Sequence, residues 1–250
     1  MRQEVCVKTH SGNEGVSTIP VESNSAGMDE SSLVLFDQQI DDCLSIVEPF
    51  DTLSECLSSK SSLAEVYIRG LDIVGALILL IFAAPVMIFI AFLIKVSSAG
   101  PVLFKQYRVG KLGKIFKLYK FRTMVDGAEK NTGPVWAAKD DERVTPLGKI
   151  LRRTRIDELP QLFNVLRGDM SLVGPRPERP YFVRQHRALQ GVRLAVKPGI
   201  TGLAQIRAFY NLRPEHKLKY DYLYIQNKSL LLNLYILLHT IPVVFLKKGW

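Results

Sequence analysis

The chain has 250 residues, 47% of them hydrophobic, and a formal net charge of +9; that length suits one domain with additional segments. The charge divides sharply near residue 65, since residues 1–64 hold three basic and eleven acidic residues while the remainder holds 30 and 13. A body this rich in Lys and Arg points to an anionic partner: phosphate-bearing substrates, anionic lipid or nucleic acid. Cys6, Cys43 and Cys56 all precede residue 65; they lack a paired metal spacing and cannot close a disulfide framework, which argues against cysteine chemistry in the body.

Residues 1–64 read as an acidic, Ser-rich tail with too little apolar surface to offset its ordering entropy, hence disordered apart from a short helix around Ile40–Val47. The first long apolar run begins only at Ile73, so no secretory leader is expected. Between Asp72 and Lys95 stand 22 residues without a charge, about 33 Å of helix against a hydrocarbon core of ~30 Å. Two readings stay open for this membrane segment, residues 65–98. A simple spanning helix satisfies the length. Pro85 in mid-run and basic residues on both flanks (Arg69, then Lys95, Lys105, Arg108, Lys111 and Lys114) suit a kinked helix that dips in and returns.

Residues 99–228 read as a compact mixed domain. Val102–Phe104 and Ile115–Phe121 are expected as short strands around Gly110 and Gly113. Leu147–Thr154 reads as an amphipathic helix. Leu159–Gly168 is a second helix, with Pro160 in its first turn, Gly168 as its stop, and an apolar face of Leu159, Leu162, Phe163 and Leu166. Val173–Pro177 must be an ordered loop, Glu178–Gln190 is helical, Lys197–Gly202 is a Gly/Pro turn, and His216–Asn227 is a helix. Residues 229–250 hold an apolar run interrupted by Asn233, His239 and Pro242. An interfacial helix with Lys247 and Lys248 at headgroup level fits it better than a span.

The adjacent carboxylates Asp157 and Glu158 stand just before the 159–168 helix, among Arg152, Arg153 and Arg155. A helix N-terminus and nearby guanidiniums favour the ionised forms, which can bind Mg²⁺, act as a base or attack phosphorus. The plain alternative is a helix cap with surface ion pairs. Arg176 lies between Pro175 and Pro177, a stiff setting that suits bidentate phosphate binding or a structural pair with Glu178. Lys120, Arg122 and Arg108 sit beside the extended segments as further candidates for binding substrate phosphate. The glycines match neither a Walker loop nor a dinucleotide fingerprint, the histidines show no metal spacing, and no nucleic-acid motif accompanies the charge.

Taken together, Lys95–Gly110, Lys120–Met124, the run DELPQLFNVLRGDMSLVGPRPE at Asp157–Glu178, and Pro198–Gln205 resemble the bacterial sugar transferase family, in particular its small monotopic polyprenyl-phosphate phosphoglycosyl transferases. The likeness covers residues 66–240. It implies that Asp157 attacks the β-phosphorus of a UDP-sugar, releasing UMP and leaving a phosphosugar on the enzyme. A polyprenyl phosphate, usually undecaprenyl phosphate, then takes the sugar phosphate and so begins polysaccharide or glycan assembly on a lipid carrier. Glu158 is implied to help Asp157 hold the required Mg²⁺ or to activate the lipid phosphate, and Arg176 to bind substrate phosphate. The membrane segment is implied to be re-entrant and broken at a Ser–Pro pair. Here the pair is Ala84–Pro85, so the serine's bond to freed backbone is missing while Pro85 keeps the main cause of a break. The implied architecture is a mainly helical α/β, membrane-associated monotopic protein: a re-entrant helix-break-helix, a compact catalytic domain and interfacial amphipathic helices. It would sit at the bacterial inner membrane with its body facing the cytoplasm. The implied partners are a UDP-sugar, polyprenyl phosphate and membrane lipid, with downstream glycosyltransferases and a homodimer as further candidates. The rival readings are a glycosyltransferase releasing UDP and a non-catalytic scaffold for glycan assembly.

Overall fold

A computed structural model describes residues 62–129, 141–207 and 214–245. The expected disordered tail with its short helix, and the lysines at 247 and 248, lie outside the described residues. Helix α1 (Ser62–Ser97) contains the apolar run and continues through Pro85 as one helical stretch where a helix-break-helix was expected. Ile68, Asp72 and Ala76 recur at spacings of four on its buried side, the repeat that places residues on one helical face. Val66, Val74, Leu77, Ile81 and Phe82 are exposed on the other. Among the described residues, this helix alone is long and apolar enough to cross a membrane.

Strands β1 (Leu103–Val109) and β2 (Ile115–Phe121) pair antiparallel, with Leu103 opposite Phe121 and Val109 opposite Ile115. The hairpin meets the two expected strands and extends the first. Helix α2 (Pro146–Arg153) starts as its sequence dictates: the Thr145 side chain accepts from the Gly148 N–H and Pro146 occupies the first turn, where its missing donor does no harm. Helix α3 (Gln161–Arg167) follows Pro160 and ends at Gly168, whose φ of 89° is the left-handed stop that glycine adopts without a Cβ clash. Strand β3 (Ser171–Val173) then runs parallel to β4 (Gly199–Thr201). Between and after them come α4 (Pro180–Gln185), α5 (Leu203–Arg207), α6 (Pro214–Gln226) and α7 (Leu230–Phe245). The result is a mainly helical α/β structure.

Several local expectations need correction. The stretch read as a Gly/Pro turn at 197–202 contains β4, because its backbone finds β3 to pair with. The helix expected over 178–190 is shorter, α4 giving way to a 3₁₀ turn at Arg187–Leu189. On α3 Phe163 is 48% exposed, and Val165 takes the core position.

One core cluster gathers Ala76 of α1 with Leu162, Val165, Met170, Leu172, Val196, Tyr224 and Ile236. A second joins Ile90 and Ile94 of α1 to Phe121 and Leu151. α1 therefore packs on the body at two places, Ala76 and Ile90–Ile94, and exposed Leu77, Ile81, Phe82 and Ile88 lie between them. Polar anchors reinforce the first of these. Asp72 accepts from the Ser171 hydroxyl and the Leu172 N–H at 2.8 Å each. Arg69 donates to the Val165 and Leu166 carbonyls at 2.7 and 2.9 Å, helping to cap the C-terminus of α3.

Candidate active site

The two carboxylates sit on a 3₁₀ turn, Ile156–Glu158, that links α2 to α3. Arg155 enters it in the left-handed region at φ 59°, a conformation costly for a side chain bearing a Cβ and most often kept where function demands it. The turn buries both acids, Asp157 at 5% and Glu158 at 8% exposure. Their surroundings then diverge. Glu158 receives a fork from Arg176, Nη1 to Oε2 at 3.1 Å and Nη2 to Oε1 at 2.5 Å, with Arg155 at 3.6 Å. Asp157 Oδ1 is buried with no hydrogen-bond partner.

Arg176 projects from the loop after β3, and the loop is fastened carbonyl by carbonyl. Pro175 O accepts from the Gly199 N–H at 2.9 Å, Arg176 O from Arg193 Nη2, Pro177 O from Arg108 Nη1 at 3.0 Å, and Glu178 O from the Val109 N–H at 3.0 Å. Arg193 is itself fixed by Asp221 at 2.6 Å, with both side chains almost fully buried. Gly199 permits the close approach, since a Cβ there would stand 2.0 Å from the Gly174 nitrogen. Four successive tethered carbonyls make the loop rigid, as the two prolines suggested.

The hairpin supplies further cations from one of its faces. Lys120, opposite Phe104 in the register, places its ammonium 5.2 Å from that ring's centroid, a distance for cation–π attraction. Arg108 is spent partly on the loop and partly on an ion pair with Glu178 at 3.7 Å. Arg122 points elsewhere: its Nη2 donates to the Ser98 carbonyl and hydroxyl at 2.8 and 2.7 Å, pinning the chain that leaves α1, while its Nε and Nη1 are buried without partners. Lys120 and Arg176 thus join the carboxylate pair, Arg108 braces the loop behind it, and Arg122 ties down Ser98 just past the end of α1.

Charge follows geometry. Burial, then the neighbouring charge of Glu158, pushes Asp157 above the ordinary carboxylate range, against Lys120, Arg176 and Arg152. Burial would raise Glu158 too, but the Arg176 guanidinium and its hydrogen bonds override that and hold it well below its usual value. Burial likewise lowers Lys120, to about 8, although Asp157 opposes the shift. Adjacent acids with opposite shifts mark a site built for two different roles. Among the described residues no three metal-ligating side chains converge. One free carboxylate beside a second already held by arginine fits a cation that takes its other ligands from substrate phosphates and water, as Mg²⁺ commonly does. The residues missed in the sequence are Arg193 and Asp221: no local motif joins two residues 28 positions apart.

Comparison with known proteins identifies the family. A family model described as bacterial sugar transferase matches residues 63–247. The chain is 45% identical over 182 residues to the UDP-N-acetylgalactosamine-undecaprenyl-phosphate N-acetylgalactosaminephosphotransferase of Aeromonas hydrophila, covering 70% of this chain and 43% of that protein. It is 44% identical over 192 residues to the UDP-glucose:undecaprenyl-phosphate glucose-1-phosphate transferase of Klebsiella pneumoniae, covering 74% and 41%. It is 38% identical over 192 residues to the exopolysaccharide production protein PSS of Rhizobium leguminosarum bv. phaseoli, covering 69% and 92%. The chain thus spans less than half the length of the first two relatives.

Proposed function

Because the chain belongs to the bacterial sugar transferase family, we propose that it transfers a sugar 1-phosphate from a UDP-sugar to a polyprenyl phosphate, releasing UMP. The observation that carries this reading is the Asp157 carboxylate: buried, unpartnered at Oδ1, and set on a strained turn beside fixed cations. In the first step an Asp157 oxygen bonds to the β-phosphorus as the bridge to the α-phosphate breaks, and UMP departs with that bridging oxygen. In the second, a polyprenyl-phosphate oxygen attacks the same phosphorus and the Asp157 carboxylate is freed. Splitting the transfer this way gives ping-pong kinetics.

Arg176 and Lys120 position the phosphoryl oxygens and offset their charge, the principal demand of phosphoryl transfer. The tethered loop keeps Arg176 in place through both steps. Glu158, ionised and gripped by Arg176, orients that guanidinium. Mg²⁺ held at Asp157 and Glu158 together with substrate phosphates would neutralise charge building on the departing nucleotide. Two relatives carry undecaprenyl phosphate and a UDP-sugar in their names, which supports both substrates.

The acceptor is a lipid, so the site must meet a bilayer. In this reading α1 is a re-entrant anchor, α7 lies in the interface, and the body faces the cytoplasm of a bacterial inner membrane. Packing of α1 on one charge-rich body both at Ala76 and at Ile90–Ile94 supports an anchor that enters and returns on one side. On α7 the exposed Leu231, Leu238 and Ile241, opposite buried Asn233 and Ile236, support an in-plane position.

The test is UMP release over a panel of UDP-sugars with Mg²⁺ and undecaprenyl phosphate, alongside intact-mass analysis. The expected result is a phosphosugar adduct on the parent chain and neither adduct nor UMP with Asp157→Asn. UDP as the released nucleotide, or unchanged turnover in that variant, would overturn the reading.

A further inference from the structure

A second cationic cluster lies away from the carboxylate pair, at the root of α1. Arg69 comes from α1, Lys111 from the turn between β1 and β2, Lys197 from the segment before β4, and Lys228 from the residues before α7. A Cβ placed on Gly168 would stand 3.4 Å from Arg69 Nη2 and 3.6 Å from Lys197 Nζ, so these two cations lie within about 7 Å of each other. Lys228 and Lys111 converge on Glu65, at 3.0 and 3.9 Å. Asp72 is the other nearby acid and is already committed to Ser171 and Leu172. Four cations therefore face two carboxylates.

We propose that this cluster binds the phosphate of an anionic phospholipid headgroup beside the point where α1 meets the bilayer. Two features favour lipid over a soluble anion, and a third shows the need for an anion. The cluster sits where α1 passes from Arg69 and Asp72 into its uncharged run, and Lys228 stands two residues ahead of the apolar α7, so the bases of both apolar helices flank it. Ile73, Val74 and Leu77 are exposed in the two turns that follow Arg69, which places apolar surface on the bilayer side of the cations, as a headgroup with acyl chains requires. Among the described residues Lys197 makes no ion pair: burial, then the charge of Arg69, lowers its proton affinity, and Asp72 and Glu65 act against them. A headgroup phosphate would supply the missing countercharge.

The cluster is distinct from the transfer site. The carboxylate pair precedes α3, and the cations gather at its far end, seven residues or about 10 Å along the axis. The inference rests on the membrane placement proposed above but not on the transfer chemistry. Its use would be to lock the depth of the anchor, and with it the height of Asp157 over the membrane.

Native mass spectrometry of the full chain in nanodiscs of equal phosphatidylglycerol and phosphatidylcholine, matched in acyl chains, tests it without any sugar donor. One phosphatidylglycerol should be retained in preference to phosphatidylcholine, and Lys111→Gln with Lys197→Gln should cut that preference about fivefold per cation removed. Lys111→Arg with Lys197→Arg, which keeps the charge, should preserve it and guards against a folding failure of the glutamine pair. Equal retention of both lipids, undiminished preference in the glutamine pair, or displacement of the lipid by millimolar inorganic phosphate would each overturn the proposal. Sedimentation of the parent chain with membranes reads its placement separately: a chain that does not sediment defeats the membrane reading, whereas one that sediments without lipid preference defeats this proposal alone.

Discussion

Burial and the charge of Glu158 hold Asp157 at a pKa of about 6. A protonated carboxyl cannot attack phosphorus, so kcat/KM should climb with pH through about 6 and level off above it. A pH–rate profile already flat at pH 5 would show that attack does not wait on this ionisation. The same shift acts on stability with its own sign. The folded state binds this proton more tightly than the unfolded chain does, so the contribution is fully present below the unfolded carboxylate range. It is lost as pH rises through the folded value. Asp157→Asn has no charge to bury. In EDTA at neutral pH it should therefore be more stable than the parent by about 1–3 kcal/mol, and the gain should vanish in acid. Denaturant melts at the two pH values check this. A variant both inactive and more stable would separate a chemical role for Asp157 from a structural one.

The element that most needs support is the 174–178 loop, and the support comes from the buried Arg193–Asp221 pair. Removing one partner leaves a buried charge: Arg193→Ala should cost about 3–5 kcal/mol. Replacing both, Arg193→Met with Asp221→Leu, removes that penalty and should leave urea melts close to the parent. It also removes the donor to the Arg176 carbonyl, so kcat/KM should fall on the order of 10–100-fold, as small misplacements of a positioning group do. Parental activity in the double variant would show that the loop holds itself. This support illustrates what the sequence could and could not disclose. Elements decided by near neighbours were legible: the hairpin, α2 after Thr145-Pro146, α3 between Pro160 and Gly168. Asp157, Glu158 and Arg176 were legible because they fall in one long run. Strand β4 was not, because Gly199–Thr201 is extended only by virtue of β3, 28 residues upstream. Phe163 and Val165 exchanged places because a seven-residue helix has too few turns for spacing to fix which residue faces in. Arg108 and Arg122 read as free cations, although one braces a loop and the other ties down Ser98, both long-range contacts invisible to local pattern.

At the scale of the whole molecule the question is which side of the bilayer each end of α1 occupies. Ala76 and Ile94 are both buried in the body, and the 18 residue steps from one to the other amount to about 27 Å of helix. A straight crossing would carry one of these contacts to the far side, together with the charged body around it, and hydrocarbon does not accept such a body. In the re-entrant reading proposed above, lipid contact falls to the exposed apolar stretch between them, where Pro85 removes one helical hydrogen bond and so lowers the cost of bending. Ala64 and Ala99, both exposed and small, bracket the segment and suit single cysteine probes. With Cys6, Cys43 and Cys56 changed to serine, Ala64→Cys and Ala99→Cys should both react with a membrane-impermeant maleimide in inverted vesicles and both resist it in intact spheroplasts. Labelling of one position from each side would mean a spanning helix, and would separate either Ala76 or Ile94 from the body on which it now packs. Pro85→Leu sharpens the outcome: restoring the helical hydrogen bond favours a straight helix, so a share of Ala99→Cys should become reachable from outside while Ala64→Cys keeps its side.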